Sequence, residues 1–410
     1  AFQKAMGGKP GPVYLDFPAD VLYEKVDESQ VDWRLSGRPL LNPRPLGEQA
    51  RVDELIDALA KAKQPLVVSG SGVIWSQAWT EMQQFVEKAG IPFYTTPQGR
   101  GVVPDDHPLS FMTMRSTAFK DADLIIVLGT RMNYIIGHAS APRFNANAKI
   151  ARIEIDGDEL ATAPRKIDIP ILGDCKAVLQ QLLAAMPKRI EAENFAAWRK
   201  KLAEGEASKK KETEGGMAMN KSPIHPLRLC EEVKNFMKRD AILVVDGQEI
   251  LNFGRQSMPT FAPGHRLNSG PFGMMGVGMP FAVGAKIACP DKQVICVHGD
   301  GSFGLNAMEL DTAVRHKAPL LVVISLNGGW TADPKKEKVG RNLGYTRYDK
   351  MAEALGCYGE YVEKPEDIGS ALVRAQKKVD EGMVALVNVK TDDTARAGTV
   401  SFSSHAAAVT

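Results

Sequence analysis

The chain has 410 residues, of which 44% are hydrophobic, and its 51 basic and 49 acidic residues leave a net charge of +2. This length and apolar content predict two α/β domains with separate cores. The balanced charge argues against a nucleic-acid-binding or membrane-surface protein, and no apolar run reaches the roughly 20 residues of a membrane span. Five widely spaced cysteines without a CxxC pair indicate packing residues in a reducing, cytoplasmic compartment.

The N-terminal part of the chain has the pattern of the end of an α/β unit. Residues 1–26 contain a glycine- and proline-rich turn followed by the apolar run "VYLDF", which predicts the last turn and strand of an α/β unit. Residues 27–48 are polar and punctuated by proline, as expected of a linker.

Short apolar runs alternate with helical stretches over residues 49–186. The runs are "PLVVSG", "IPFYTT", "DLIIVLGT", "KIARIEID" and "DIPILGD". This alternation predicts βαβ units and a parallel sheet with helices on both faces. Residues 187–226 are charged and poor in apolar residues, which favours a solvated helix or connector.

The same alternation returns over residues 227–391, in the runs "AILVVDG", "QVICVHGDG", "PLLVVISLNGG" and "MVALVNVKT". We therefore predict an α/β chain of two parallel-sheet domains with helices on both faces. The small and polar residues 392–410 indicate a mobile tail or a tail that folds over a cleft.

The motif Gly-Asp-Gly-Ser at residues 299–302 follows a predicted strand directly, and Asn327 follows the next apolar run, 27 positions after Asp300. In an open parallel sheet, ligands sit beyond the carboxyl ends of the strands. If the two strands are neighbours, Asp300, Asn327 and a glycine carbonyl after it could share one Mg²⁺, with a diphosphate and water completing the shell. Gly-Asp-Gly could also be only a turn.

The stretch "GDGSFGLNAMELDTAVRHKAPLLVVISLNGG" resembles the cofactor motif of thiamine-diphosphate-dependent enzymes. The resemblance implies that Asp300, Asn327 and the carbonyl of Gly329 hold Mg²⁺ on the diphosphate of thiamine diphosphate. It also implies that Gly299, Gly301 and Ser302 contact that diphosphate.

Two further segments carry the resemblance. "LNSGPFGMMGVGMPFAVGA" is similar to the segment that places a bulky wedge under the cofactor, which implies this role for Met275. The Gly273 carbonyl would accept from the pyrimidine amino group. "VVDGQEI" resembles the first strand and turn of the diphosphate domain, which puts Gly247 and Gln248 near the phosphates.

The first domain, with "DADLIIVLGTRMN" and "KIARIEIDGDEL", resembles the Rossmann-like central domain of the acetolactate synthase group. Its "SGSGVIW" lacks the third glycine of G-x-G-x-x-G, so neither NAD nor FAD is implied.

Within this group, "LGYTRYDKMAEALG" and the basic loop "DPKKEKVGRN" are most similar to oxalyl-CoA decarboxylase and 2-hydroxyacyl-CoA lyase. An acyl-CoA substrate is therefore implied. The loop could face the phosphates of coenzyme A or be only solvated, and His265 and Arg266 stand near the same edge. The loop candidates are Lys335, Lys336, Lys338 and Arg341.

Enzymes of this family use a glutamate on a separate N-terminal pyrimidine-binding domain to activate the cofactor. Glu249 and Glu309 do not match its position, and residues 1–26 match only the end of that domain. We expect the domain to belong to a longer parent chain or to a second chain, and the family arrangement implies a homodimer or homotetramer.

The leading hypothesis is a thiamine-diphosphate- and Mg²⁺-dependent 2-hydroxyacyl-CoA lyase, which gives an aldehyde and formyl-CoA or runs in reverse. Oxalyl-CoA decarboxylase and an acetolactate-synthase-like enzyme are the alternatives. From another class, the two domains could form a non-catalytic binding module.

Overall fold

The computed structural model of the chain describes residues 1–33, 42–187, 189–217, 219–330, 337 and 339–397. Two short helices come first, α1 (Phe2–Met6) and α2 (Ala19–Tyr23). The run "VYLDF" between them has no β pairing, so the strand predicted there is wrong. A strand is stabilised by its neighbours, and neither sheet offers residues 13–17 a partner.

The central domain is built on a five-stranded parallel sheet, in the order β2-β1-β3-β4-β5. All five residues of the middle strand, "LIIVL", are buried, because helices cover both faces of the sheet. The strands are β1 (Pro65–Ser69), β2 (Phe93–Thr95), β3 (Leu124–Leu128), β4 (Lys149–Glu154) and β5 (Ile169–Leu172).

The helices around this sheet are amphipathic. In the first of them Val52, Leu55, Ile56 and Leu59 are buried, a spacing that puts one apolar stripe against the sheet. The helices are α3 (Gln49–Lys61), α4 (Ser71–Trp75), α5 (Trp79–Ala89), α6 (Arg115–Asp121), α7 (Gly157–Ala161) and α8 (Cys175–Ala185).

The connector contains one long helix, α9 (Ala196–Met217). Its first turns are not solvated on all sides, because Trp198 and Leu202 are buried against the central domain. Trp198 Nε1 donates to the carbonyl of Pro65 at 3.1 Å. The connector is therefore attached to the central domain at one end.

The second domain has a six-stranded parallel sheet, in the order β10-β11-β9-β8-β6-β7. The sequence runs predicted four of these strands and missed the two edge strands, the first and last in that order. The strands are β6 (Ile242–Asp246), β7 (Arg266–Leu267), β8 (Val294–Gly299), β9 (Leu321–Leu326), β10 (Tyr358–Val362) and β11 (Ala385–Lys390).

Separate apolar clusters cover the two faces of this sheet. The covering helices are α10 (Pro226–Phe236), α11 (Glu249–Ser257), α12 (Gly278–Ala288), α13 (Asp300–Leu305), α14 (Glu309–Arg315), α15 (Tyr348–Ala354) and α16 (Ile368–Asp380).

A buried ion pair joins the two domains. Arg100 pairs with Asp105 in the loop after β2, and both side chains are almost fully buried. Asp105 Oδ2 accepts from the N–H of Thr260 at 2.8 Å, and the Asp105 N–H donates to the Thr260 carbonyl at 3.0 Å. Arg100 also donates to the carbonyl of Met258 at 3.2 Å. These hydrogen bonds thus attach the central domain to the segment that precedes β7.

The predicted fold class is confirmed: two parallel-sheet α/β domains with helices on both faces. The predicted domain boundaries stay predictions. Among the described residues, no helix is both long and apolar enough to cross a bilayer.

Candidate functional site

The two predicted ligand-bearing strands are neighbours in the second sheet. β8 pairs with β9 in parallel, with Gly299 opposite Ser325. Asp300 and Asn327 therefore leave the sheet side by side at its carboxyl edge. Asp300 is 2% exposed, and its Oδ2 accepts from the N–H of Gly328 at 2.7 Å, which fixes the carboxylate beside the turn after β9.

Three oxygen atoms converge at this edge. As the Asn327 amide is oriented, its oxygen lies 3.1 Å from Asp300 Oδ1 and 2.9 Å from the Gly329 carbonyl oxygen. With the amide turned over, its nitrogen would donate to both. Neighbouring ligands of an octahedral Mg²⁺ lie about 3 Å apart, so the two spacings around the Asn327 oxygen suit ligands of one such ion, whereas the turned amide suits the site without a cation. A side chain on Gly329 would overlap the Arg341 carbonyl.

Burial makes the Asp300 carboxylate costly to ionise. It raises the pKa of Asp300 to about 6, while the N–H groups of Gly301, Gly328 and Gly329 act in the opposite direction. A cation beside the carboxylate would favour the ionised form. The electrostatics of the site are therefore incomplete without a positive charge.

The Gly-Asp-Gly-Ser segment begins α13, with Gly299 as its N-cap. The N–H of Gly301 donates to Asp300 Oδ1 at 2.7 Å. The Ser302 hydroxyl donates to the Gly299 carbonyl at 3.0 Å and lies 3.2 Å from Nδ1 of His298. These groups are at the predicted place, but they are engaged within the protein, and their contacts with a diphosphate stay a prediction.

Gly247 and Gln248 form the turn between β6 and α11, next to the same groove. Gly247 has a φ of +124°, which favours glycine, and a Cβ there would lie 3.1 Å from the Gly299 nitrogen. The carboxyl ends of β6 and β8 thus approach each other closely. Gln248 is the N-cap of α11 and lines the groove with Gly247.

Met275 lies on the loop that precedes α12, with its side chain 39% exposed. It lines the same groove as Asp300 and Asn327, which is the position a support under a cofactor needs. Gly273, two residues earlier, has a φ of +65° and is exposed. Their roles toward the rings of the cofactor stay predictions.

The groove is small, with a volume of about 40 Å³. A Cβ built on Gly301 would lie 2.9 Å from Cε3 of Trp330, so this indole covers the turn. Asp392 and Ala395 close the other side, and the N–H of Ala397 donates to Glu249 Oε2 at 2.9 Å. The described start of the C-terminal tail therefore folds over the groove.

The candidates for coenzyme A phosphates fall in different places. Lys335, Lys336 and Lys338 lie outside the described residues. The Arg341 carbonyl accepts from the N–H of Trp330 at 2.8 Å, which keeps that loop near the groove. Arg266 is buried on β7, where its Nη1 donates to the Met258 carbonyl at 3.1 Å, so it is a packing residue.

An arginine cluster between the domains was not predicted from the sequence. Burial lowers the pKa of Arg255 on α11, and the like charges of Arg115 and Arg100 lower it further. Burial also lowers the pKa of Arg143 to about 10, with Arg115 acting in the same direction. Within the described part of the chain, no carboxylate pairs with Arg115, Arg143 or Arg255. The cluster can therefore attract an anion.

A larger cavity, of about 630 Å³, opens at the carboxyl ends of the central strands. Gly72, Thr130 and Glu154 line it from the central domain, and Asn268 and Phe272 line it from the second. Its volume and place are those of a small-molecule site in an open parallel sheet.

Comparisons with known families agree with this fold and site. The model of the thiamine pyrophosphate enzyme central domain matches residues 52–182, and that of the C-terminal TPP-binding domain matches residues 251–389. The chain belongs to the thiamine pyrophosphate enzyme family.

Several curated relatives align along nearly the whole chain. 2-hydroxyacyl-CoA lyase 1 of Mus musculus is 30% identical and covers 97% of this chain, which spans 71% of that protein. Acetolactate synthase large subunit IlvG of Mycobacterium tuberculosis is 32% identical, with 96% and 70% covered. Oxalyl-CoA decarboxylase of Escherichia coli K12 is 28% identical, again with 96% and 70% covered. All three identities are close, so they support an enzyme without separating these activities.

Proposed function

We propose that the chain forms the central and diphosphate-binding parts of a thiamine-diphosphate- and Mg²⁺-dependent 2-hydroxyacyl-CoA lyase. The observation that supports the cofactor is the convergence of the Asp300 carboxylate, the Asn327 side-chain amide and the Gly329 carbonyl at one strand edge. The bound cofactor would act as the electron sink when the carbon–carbon bond breaks. Asp300, Asn327 and Gly329 hold the metal, and Met275 supports the thiamine rings.

The arginine cluster supports a substrate that carries phosphates. Arg255 stands seven residues after Gln248 on α11, which is about 10 Å along the helix axis. The long pantetheine arm of a CoA ester can bridge such a separation, with the reacting carbon at the cofactor and the phosphates at the cluster. Arginine forks recognise phosphate through paired hydrogen bonds.

The glutamate that activates the cofactor is supplied, in this proposal, by a pyrimidine-binding domain in the parent chain or in a second chain. Neither candidate in the described chain replaces it. Glu249 accepts from the tail at Ala397, and Glu309 lies in the first turn of α14, beyond the turn that follows α13. A homodimer or homotetramer would complete the site.

A substrate panel tests the activity. The complete enzyme is given formyl-CoA with an aldehyde, oxalyl-CoA, or pyruvate, and the products are followed by chromatography. We expect 2-hydroxyacyl-CoA from the first. If formyl-CoA from oxalyl-CoA were the only product, the enzyme would be a decarboxylase and not a lyase. If acetolactate were the only product, the proposal of a CoA substrate would be wrong.

Substitutions in the cluster test the CoA site directly. Arg255→Gln should raise the KM for the CoA ester about tenfold with little change in kcat, because a charge-assisted phosphate contact is lost far from the reacting carbon. Arg374→Gln, which breaks a surface pair with Glu360, is the matched control. An unchanged KM in Arg255→Gln would contradict this placement of the phosphates.

A further inference from the structure

The loop that carries Met275 is held from two sides by side chains of the diphosphate site. Asp246, the last residue of β6, accepts through Oδ2 from the N–H of Gly276 at 2.8 Å and from that of Gly278 at 2.9 Å. Its Oδ1 accepts from the N–H of Gly247 at 2.7 Å. On the other side Asn306, at the end of α13, donates to the Gly276 carbonyl at 2.7 Å.

The fit around these contacts leaves the loop no room to shift toward the sheet. Gly276 has a φ of +92°, and a Cβ there would lie 3.0 Å from both Asn306 Nδ2 and the Leu305 side chain. A Cβ on Gly278 would overlap the ring of His298 and lie 2.8 Å from the Asp246 Cβ. The loop backbone therefore packs directly on the ends of β6 and β8.

Asp246 has an unusual setting for a carboxylate. It is 2% exposed, and within the described residues no lysine or arginine pairs with it, while the nearest ring nitrogen, Nδ1 of His298, stands 3.9 Å away. A buried carboxylate is costly unless hydrogen bonds satisfy it, and here backbone N–H groups do so. Its bonds tie the strand end at the diphosphate groove to the loop of Met275.

We propose that Asp246 and Asn306 are positioning residues that set the place of Met275 relative to the metal site. Within the described residues, the Asn306 amide bonds the ring-supporting loop, whereas Asp246 bonds that loop and also the N–H of Gly247 in the diphosphate-binding turn. The inference rests on the proposed function, in which Met275 supports the thiamine rings. It predicts that ring binding and diphosphate binding can be separated by substitution.

Hydrogen exchange of the cofactor-free 410-residue chain tests the clamp itself. We expect the amides of residues 276 and 278 to be protected, and to exchange about tenfold faster in Asp246→Ala, because Oδ2, which accepts from both N–H groups, is removed. Asn306→Ala changes an exposed side chain, so the fold is preserved, and it should also speed exchange in this loop. Asp311→Asn, on the surface of α14, is the matched control. Exchange at the rate of the unsubstituted chain in both variants would overturn the clamp.

A pair of affinities tests its role. Calorimetry on the complete enzyme with Mg²⁺ present should show that Asn306→Ala weakens thiamine diphosphate about tenfold, as loss of a supporting contact does, and leaves inorganic pyrophosphate unchanged, whereas Asp246→Ala, which also releases Gly247, should weaken both ligands. Parallel loss of both ligands in Asn306→Ala, or no loss of either, would refute the positioning role. If the unsubstituted complete enzyme bound neither ligand, the proposed function would fail, and the exchange experiment would still decide the clamp.

Discussion

Asp300 and Asp246 are both buried carboxylates at strand ends in the diphosphate domain, but their oxygens face different partners. Asp300 accepts from the N–H groups of Gly301 and Gly328, and its Oδ1 also lies 3.1 Å from the Asn327 amide, which in turn lies 2.9 Å from the Gly329 carbonyl oxygen, so a cation could be held here. Asp246 accepts from three backbone N–H groups, two of them in the loop of Met275, although burial raises its pKa as it raises that of Asp300. The first arrangement suits a metal ligand and the second suits a structural link.

Replacing Asp300 by Ala should weaken Mg²⁺-dependent binding of thiamine diphosphate at least about 100-fold, because the only carboxylate among the proposed ligands is removed. Calorimetry at fixed Mg²⁺ measures the change. Asp311→Ala removes a surface carboxylate on α14 and should leave the affinity unchanged. Equal affinities in the two variants would refute the assignment of Asp300 to the metal.

The sequence was informative about Asp300 because a metal motif has a fixed spacing and lies next to apolar runs. Asp246 also follows an apolar run, but its partners, Gly276 and Gly278, are 30 and 32 positions away and donate through the backbone. Any residue type can supply a backbone N–H, so no sequence pattern marks such a contact. The arginine cluster was not predicted for a related reason, since Arg115 and Arg255 come from different domains.

The turn after β9 contacts the turn after β8 through the aromatic ring of Trp330. Trp330 covers Gly301, where we propose that the diphosphate binds. The groove has a volume of only about 40 Å³, so we expect a bound diphosphate to displace this ring. Binding should therefore be coupled to a local rearrangement.

Binding of thiamine diphosphate with Mg²⁺ should change the intrinsic fluorescence of the chain, because the Trp330 indole moves out of its contact with Gly301. Trp330→Phe should abolish the change. Trp75→Phe, which alters an exposed tryptophan of the central domain, should retain it. A change of the same size in Trp330→Phe would show that this indole stays in place.

Edge elements limited the prediction of the fold. β10 reads "YGEYV", with glutamate and tyrosine side chains at intermediate burial, and β7 has only two residues, so neither forms an apolar run. The buried strands β8 and β9 each contain four consecutive apolar residues and were recognised. "VYLDF" shows the opposite error, since apolar composition alone does not supply a neighbouring strand.

At the scale of the whole molecule, the Arg100–Asp105 pair connects the two domains through backbone bonds to Thr260 and Met258. Its burial distinguishes it from the neighbouring pair of Asp106 with Arg239, whose side chains are about half exposed. Two adjacent aspartates thus make one buried and one solvated contact between the same two domains.

Asp105→Ala should lower the free energy of unfolding by about 3–5 kcal/mol, because it leaves the Arg100 guanidinium buried without its partner. Asp106→Ala should lower it by less than about 1 kcal/mol, as a screened surface pair does. Urea unfolding followed by circular dichroism measures both. Similar losses in the two variants would mean that the Arg100 pair does not hold the domains together.

The contact between Asp105 and Thr260 also bears on recombination of this chain with its relatives. A chimera that takes only the residues before the connector from a relative would combine the relative's central domain with residues 258–260 of this chain. The two sides of the contact would then come from different proteins. Crossover points in the connector would then produce hybrids with mismatched halves of one buried contact. Exchanging 258–260 together with the central domain should yield hybrids that fold more often than those with a single crossover.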